Sequence, residues 1–237
     1  MSKLFKQVVK SIARTIYRVV SSSPNKNNIY IIPSYGRSGS TLLWHAVSEA
    51  LLSGCVMGNR KASILERGLW DKTESIDVSM RGMVVKTHFR PIDINYSIDR
   101  GLIKSIYVIS KPSDSIKSII AATDKLGISW FRKHMKNLGA EEIKAPMELM
   151  TSDALNLKDR IYDWDNDEHS ITIKYEKMWS DVDRLSKFIG REIKLPLQKD
   201  RAEKKLSKDE ELLVLETYGE IDKLYDEFDP LINIKSQ

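Results

Sequence analysis

The chain reads as an α/β protein, with a mostly parallel central sheet flanked by helices. Three observations predict this. Short apolar runs rich in β-branched residues at Ile29–Pro33, Met83–Thr87 and Ser105–Ile109 have the length and composition of strands buried on both faces. Segments with helical spacing of apolar residues separate these runs, the alternation expected of a parallel sheet with crossover helices. A loop rich in Gly and Ser, residues 34–40, joins the first strand to the first helix, and in such folds ligands bind at the carboxyl ends of the strands.

Taken in order, residues 3–20 come first. At 100° per residue, Leu4, Phe5, Val8, Val9, Ile12, Ile16, Val19 and Val20 fall on one half of the wheel, and Lys3, Lys6, Lys10, Arg14 and Arg18 on the other. A cationic amphipathic helix suits an anionic membrane interface or a partner, but it also suits docking on the domain or a cleaved presequence. The polar stretch 21–28 reads as a linker, which divides the chain into residues 1–27 and a folded domain at 28–237. Within the domain, helices are expected over 41–53 and 113–123, the latter with Asp114 in its first turn. Further helices are expected within 128–138, 147–164 and 177–189. Residues 170–175 alternate as a strand. Ser207 and Glu210 form a capping box that opens a helix over 207–226.

Composition narrows the function classes. The 237 residues are 41% hydrophobic and 30% charged, as expected for a soluble globular chain. The net charge of +5 is unevenly placed: residues 1–48 hold seven Lys or Arg and no acid, while residues 49–237 hold 31 basic and 33 acidic residues. A general nucleic-acid binder would carry basic patches over its body. The single cysteine, Cys55, excludes an internal disulfide, and no Cys/His cluster suggests a metal. No segment has the roughly 18 uninterrupted apolar residues of a spanning helix. The expected location is the cytoplasm, with membrane-surface contact through residues 3–20.

The 33–43 segment, PSYGRSGSTLL, carries the strongest chemical signal. Glycines let the backbone curl so that several N–H groups face inward, the following helix adds its N-terminal dipole, and Arg37 adds a full cation. Such a loop holds a phosphate or sulfate. It is not a Walker loop, because the Lys is missing and the glycine spacing differs. A Ser-rich turn that simply caps a helix is the competing reading.

Four segments, in order, resemble the sulfotransferases that use 3′-phosphoadenosine 5′-phosphosulfate (PAPS): GRSGSTLL at 36–43, KTHFRP at 86–91, IYVISKPSDSIKS at 106–118 and ITIKYEKMWSDVDRLSKFIG at 171–190. The resemblance implies a P-loop-NTPase-like fold and PAPS as co-substrate, with no metal and no nucleic acid as partner. It implies that Gly36, Arg37, Ser38, Gly39, Ser40 and Thr41 cradle the 5′-phosphosulfate, that His88 is the catalytic base, that Ser118 meets the 3′-phosphate and that Tyr175 lies near the adenine. Two departures stand out. Ser110 occupies a position where the family usually has Arg, with Lys111 or the cluster Lys199, Arg201, Lys204 and Lys205 as candidate replacements. Leu42 stands where a Trp often follows the loop.

Sulfuryl transfer depends on positioning and charge stabilisation. Arg37 suits the growing charge on a leaving phosphate, and His88 suits a base with pKa near neutrality. The expected activity is transfer of a sulfuryl group from PAPS to a hydroxyl or amine of a carbohydrate, lipid-linked or small-molecule acceptor. A P-loop nucleotide kinase or hydrolase, and a non-catalytic membrane-recruited protein of the same fold, are the alternatives. His45, His134 and His169 carry no assigned role, and Trp130, Trp164 and Trp179 belong either to the core or to the acceptor cleft.

Overall fold

The computed structural model describes residues 27–52, 65–165, 167–198 and 206–229, together with positions 8, 12 and 15. Val8, Ile12 and Thr15 are helical and exposed. The rest of the amphipathic segment, the linker to residue 26, Cys55 and the cluster at 199–205 lie outside the described residues.

Five strands build the main sheet: β1 (Ile29–Pro33), β2 (Glu66–Leu69), β4 (Val84–Thr87), β6 (Ile103–Ile109) and β7 (Ser170–Lys174). Their spatial order is β2-β4-β1-β6-β7, and every neighbouring pair is parallel. Strands β3 (Ser75–Ile76) and β5 (Asn95–Tyr96) pair separately. The helices are α1 (Ser40–Leu52), α2 (Pro112–Leu126), α3 (Ile128–Leu138), α4 (Pro146–Thr151), α5 (Leu157–Arg160), α6 (Val182–Ile189) and α7 (Lys208–Glu227).

The period of two along each strand sorts the side chains into two cores. Ile29, Ile31, Val85, Tyr107 and Ile109 face one side, where Ile116 of α2, Phe131 of α3, Leu149 of α4 and Val214 of α7 cover them. Tyr30, Ile32, Val84, Ile106 and Val108 face the other, against Leu43 and Val47 of α1 and Leu185 and Ile189 of α6. Strand β1 has no exposed residue because it has a strand on each side and helices on both faces. After β1 the chain first builds the β2–β4 side and then crosses to β6. The switch point, where a crevice opens, therefore lies at the carboxyl end of β1. Among the described residues no helix is long and apolar enough to cross a membrane.

Two expectations change. The helical pattern at 147–164 divides into α4 and α5, because the Asp153 carboxylate accepts from the amides of Leu157 at 2.8 Å and Lys158 at 3.0 Å and starts a new helix there. Strand β2 falls in a stretch expected to be loop. It is an edge strand of sequence ERGL with only Leu69 buried, so it lacks the apolar run that marks the inner strands.

Candidate active site

The loop begins as an extension of the sheet: the Ser34 amide donates to Thr87 O at 3.2 Å, one step beyond the last paired residues of β1 and β4. The backbone then turns through positive φ at Gly36 (92°), Arg37 (55°) and Gly39 (79°) before α1 starts at Ser40. At Gly39 glycine is required twice. An L-residue is strained at that φ, and a Cβ would stand 2.2 Å from Cδ2 of Tyr175. The Ser34 hydroxyl donates to Ser40 Oγ at 2.9 Å and ties the two ends of the loop together. Exposed Arg37 reaches across to α2, where its Nε donates to Ser118 Oγ at 2.9 Å. The Ser38 hydroxyl is fully buried and has no hydrogen-bond partner among the described residues.

Strand β4 delivers two further groups. Lys86 follows Val84 by two residues on the face that packs against α1. At the strand's carboxyl end its Nζ meets the first turn of α1, donating to Thr41 Oγ1 at 2.6 Å. Burial, and the nearby Arg37, lower its pKa to about 8. His88 lies just beyond the strand and is 5% exposed. Its Nδ1 is 2.8 Å from the Ser34 carbonyl, which can only accept, so Nδ1 carries the proton and Nε2 presents its lone pair. Ser34 Oγ, 3.1 Å away, shares that proton. The Arg160 guanidinium donates to the backbone oxygen of His88 at 2.7 Å and fixes this segment. Burial, with Lys86 second, pushes the His88 pKa down to about 3, well below the near-neutral value expected from sequence.

These groups open on one cavity of about 830 Å³. Of the residues singled out in the sequence, Arg37, Gly39, Ser40, Thr41, His88, Ser118 and Tyr175 line it. Gly36 and Ser38 belong to the same loop without lining the cavity. Ser110 and Lys111 stand apart from it. Ser110 is fully buried, its amide donating to the Tyr35 hydroxyl at 2.8 Å and its Oγ lying 2.7 Å from Ser115 Oγ. Lys111 pairs with Asp226 of α7 at 2.8 Å. Ser110 is sealed inside and Lys111 is turned toward α7, so neither side chain lines this cavity.

The cavity also contains Trp70, Lys86, Lys117, His134 and Asn137, none of which the sequence singled out for a site, and Trp130, which the sequence left between core and acceptor cleft. Trp70 lies 5.3 Å from the His88 ring, and Trp130 stacks on His134 at 4.8 Å with 12° between planes. Trp164 is core, and Trp179 donates to Pro196 O at 2.7 Å while packing against Tyr175. Lys86 had a detectable signal: lysine is rarely buried, and here it closes an otherwise apolar inner strand.

No protein-family profile matches the chain, and no curated protein sequence matches it. Solved structures do. A mouse sulfotransferase, SULT7A1, complexed with PAP is 12% identical over 92% of this chain and 73% of that one, with a TM-score of 0.45. A retinol dehydratase in complex with retinol and PAP is 14% identical over 78% of this chain and 66% of that one, at 0.48. A retinol dehydratase with androsterone and inactive cofactor PAP is 14% identical over 87% and 68%, at 0.41.

On its own geometry, the cavity fits an anionic ligand of nucleotide size. Among the described residues the cations Arg37, Lys86 and Lys117 line it, against the acids Asp114 and Glu211. The loop backbone passes through positive φ at Gly36, Arg37 and Gly39, the kind of conformation from which anion-binding nests are built, and the buried Ser38 hydroxyl has no hydrogen-bond partner among the described residues. The Arg37–Ser118 contact joins the loop to α2, so one ligand can engage both elements. The Tyr175 ring, pressed against Gly39, offers a flat surface beside them.

Proposed function

We propose that the chain is a PAPS-dependent sulfotransferase, transferring a sulfuryl group to a hydroxyl or amine of an acceptor. The observation that carries this reading is the convergence on one cavity of the anion loop, of Arg37 in contact with Ser118, and of His88 with Nε2 as its acceptor nitrogen. When bound, PAPS supplies a sulfuryl group already activated on a phosphate.

The chain's own residues divide the work. The 36–41 backbone and Arg37 would hold the 5′ end, Ser118 the 3′-phosphate and Tyr175 the adenine. Arg37 and Lys86 bear on the charge that grows on the departing phosphate oxygen, where they favour the transition state over the ground state. His88 Nε2 accepts the acceptor's proton as the acceptor oxygen or nitrogen bonds to sulfur. The depressed pKa keeps this imidazole neutral at physiological pH, and a bound polyanion raises its proton affinity by offsetting the neighbouring cations. Lys86 on the Thr41 hydroxyl favours this reading over a nucleotide kinase, which would use that hydroxyl for Mg²⁺. The cationic amphipathic pattern of residues 3–20 supports contact with an anionic membrane surface as part of the same proposal.

The test combines calorimetric binding of PAP, the adenosine 3′,5′-bisphosphate product, with transfer of labelled sulfate. Arg37→Ala is expected to weaken PAP binding and lower transfer by about 10²–10³, the usual cost of an oxyanion-stabilising group. His88→Ala is expected to keep PAP binding and lose transfer. Full activity in both variants, or bound phosphates located away from Arg37 and Ser118, would overturn the reading.

A further inference from the structure

His134 presents a problem that the chemistry above does not solve. It sits on α3 in the cavity wall, its ring held flat against Trp130 one turn earlier. Its Nε2 is shielded from solvent and has no hydrogen-bond partner among the described residues. A buried ring nitrogen without a partner carries the desolvation cost of an unmade hydrogen bond. That nitrogen lies against Gly36 of the loop, where a Cβ would stand 3.4 Å from it. Burial, then Arg37, then Lys86 push its pKa down to about 4. His88 faces it edge-on at 6.4 Å, while Asp114 and Lys117 of α2 and Glu211 of α7 line the same cavity.

We propose that His134 is an oxyanion ligand: its Nε2, protonated as the anion arrives, donates a hydrogen bond to the tetrahedral oxyanion seated on the 34–41 loop. One event removes both penalties. Protonation turns the unpartnered nitrogen into a donor and the anion supplies its acceptor, while the anion's charge offsets Arg37 and Lys86, the cations that keep the proton off. Trp130 holds the ring plane, so little orientation is lost on binding. The proposal rests on reading the cavity as a PAPS site and adds to it a second imidazole with a task different from that of His88, whose Nδ1 is committed to Ser34.

The sign of the pH effect follows from linkage. A group whose pKa rises on binding takes up a proton. Affinity therefore falls as pH rises from about 4 toward the bound-state pKa, by up to about tenfold per pH unit for one proton. The experiment is PAP calorimetry from pH 5.5 to 7.5, in buffers of different ionisation enthalpy, on the native chain, His134→Gln and His134→Ala. Adenosine 3′-monophosphate, which lacks the 5′ anion, serves as the control ligand. Titration of the ligand phosphates is common to all three proteins and cancels in the comparison.

Relative to His134→Gln, the native chain is expected to take up more protons and to gain affinity for PAP as pH falls. Gln keeps a donor near the Nε2 position, so it is expected to bind more tightly than His134→Ala at pH 7.5. No such differences are expected with the control ligand. Parallel pH profiles and equal proton uptake in all three proteins would overturn the inference while leaving the sulfotransferase reading intact, as would a His134 effect equally large with the control. Failure of PAP to bind the native chain would overturn both. If the variants do not fold, the same shift is read on the native chain, whose four histidines give four imidazole resonances, assigned through His45→Gln, His88→Gln and His169→Gln. A His134 resonance whose pKa does not rise with PAP would be the negative result.

Discussion

Gly39 meets two demands at once, and they can be separated. The backbone at φ 79° strains any L-residue, by about 1–3 kcal/mol, and the Tyr175 ring leaves no room for a Cβ. Gly39→Ala is expected to lower stability and abolish PAP binding. Adding Tyr175→Ala relieves the clash but not the backbone strain, so the double variant is expected to recover part of the stability in a denaturant melt. Equal melts for Gly39→Ala and the native chain would refute this account. Arg37, an L-residue at φ 55°, already bears such strain, consistent with a position held for function. The loop residues were legible in sequence because their chemistry is local: glycines, hydroxyls and a cation between a strand and a helix. His134 was not legible, because α3 shows only helical spacing and nothing in it marks the face that turns toward Gly36. Ser110 was read by its place after a strand, but its environment is set by Tyr35, 75 residues away in sequence.

At the scale of elements, α7 is fastened to the carboxyl end of the sheet. Asp222 accepts from the Ser113 amide at 3.0 Å, satisfying an N-terminal donor of α2, and the Asp226 carboxylate and backbone oxygen hold Lys111 and Lys174. This docking explains why Lys111 does not reach the cavity. Burial raises the Asp222 pKa, so this residue's contribution to stability falls as pH rises through the ordinary carboxylate range. Asp222→Asn keeps an acceptor oxygen and removes the buried charge. Its melting temperature at pH 7 is expected to equal or exceed that of the native chain, whereas Asp222→Ala is expected to lose about 1 kcal/mol. A lower melting temperature for the Asn variant than for the Ala variant would show that the charge, not the acceptor, holds α2. The helix boundaries legible in sequence were those with a local stop or start, such as the Ser207–Glu210 capping box. The division of α4 from α5 depends on where the Asp153 side chain bonds, and β2 depends on an edge position that only the assembled sheet defines.

At the scale of the whole molecule, the even charge balance after residue 48 leaves the anion site to local cations: Arg37, Lys86 and Lys117 do at close range what an overall field does not. Keeping His88 and His134 neutral inside that cluster makes the fold sensitive to acid. Both have folded-state pKa values below the ordinary 6.5, so the unfolded chain binds protons that the folded chain refuses. Stability is expected to fall as pH drops from about 6.5 toward 4, by at most about 1.4 kcal/mol per pH unit for each histidine. Denaturant midpoints at pH 7, 6 and 5 would check this, and His88→Gln or His134→Gln should flatten the slope. The parallel sheet itself was legible because its inner strands are built around short apolar runs, Ile29–Ile32, Met83–Val85 and Ile106–Ile109. Its strand order was not, since register and neighbours are settled by crossovers rather than by composition. That order governs assembly. Strand β1 pairs with β4 and β6, Tyr30 opposite Val84 and Ile29 opposite Ile103, and each contact closes a long stretch of intervening chain. On the ribosome the anion loop is therefore made early and shaped late. It waits for Ser118 and then Tyr175 to emerge, so a nascent chain halted before residue 175 carries the complete loop sequence without the surfaces that define its form.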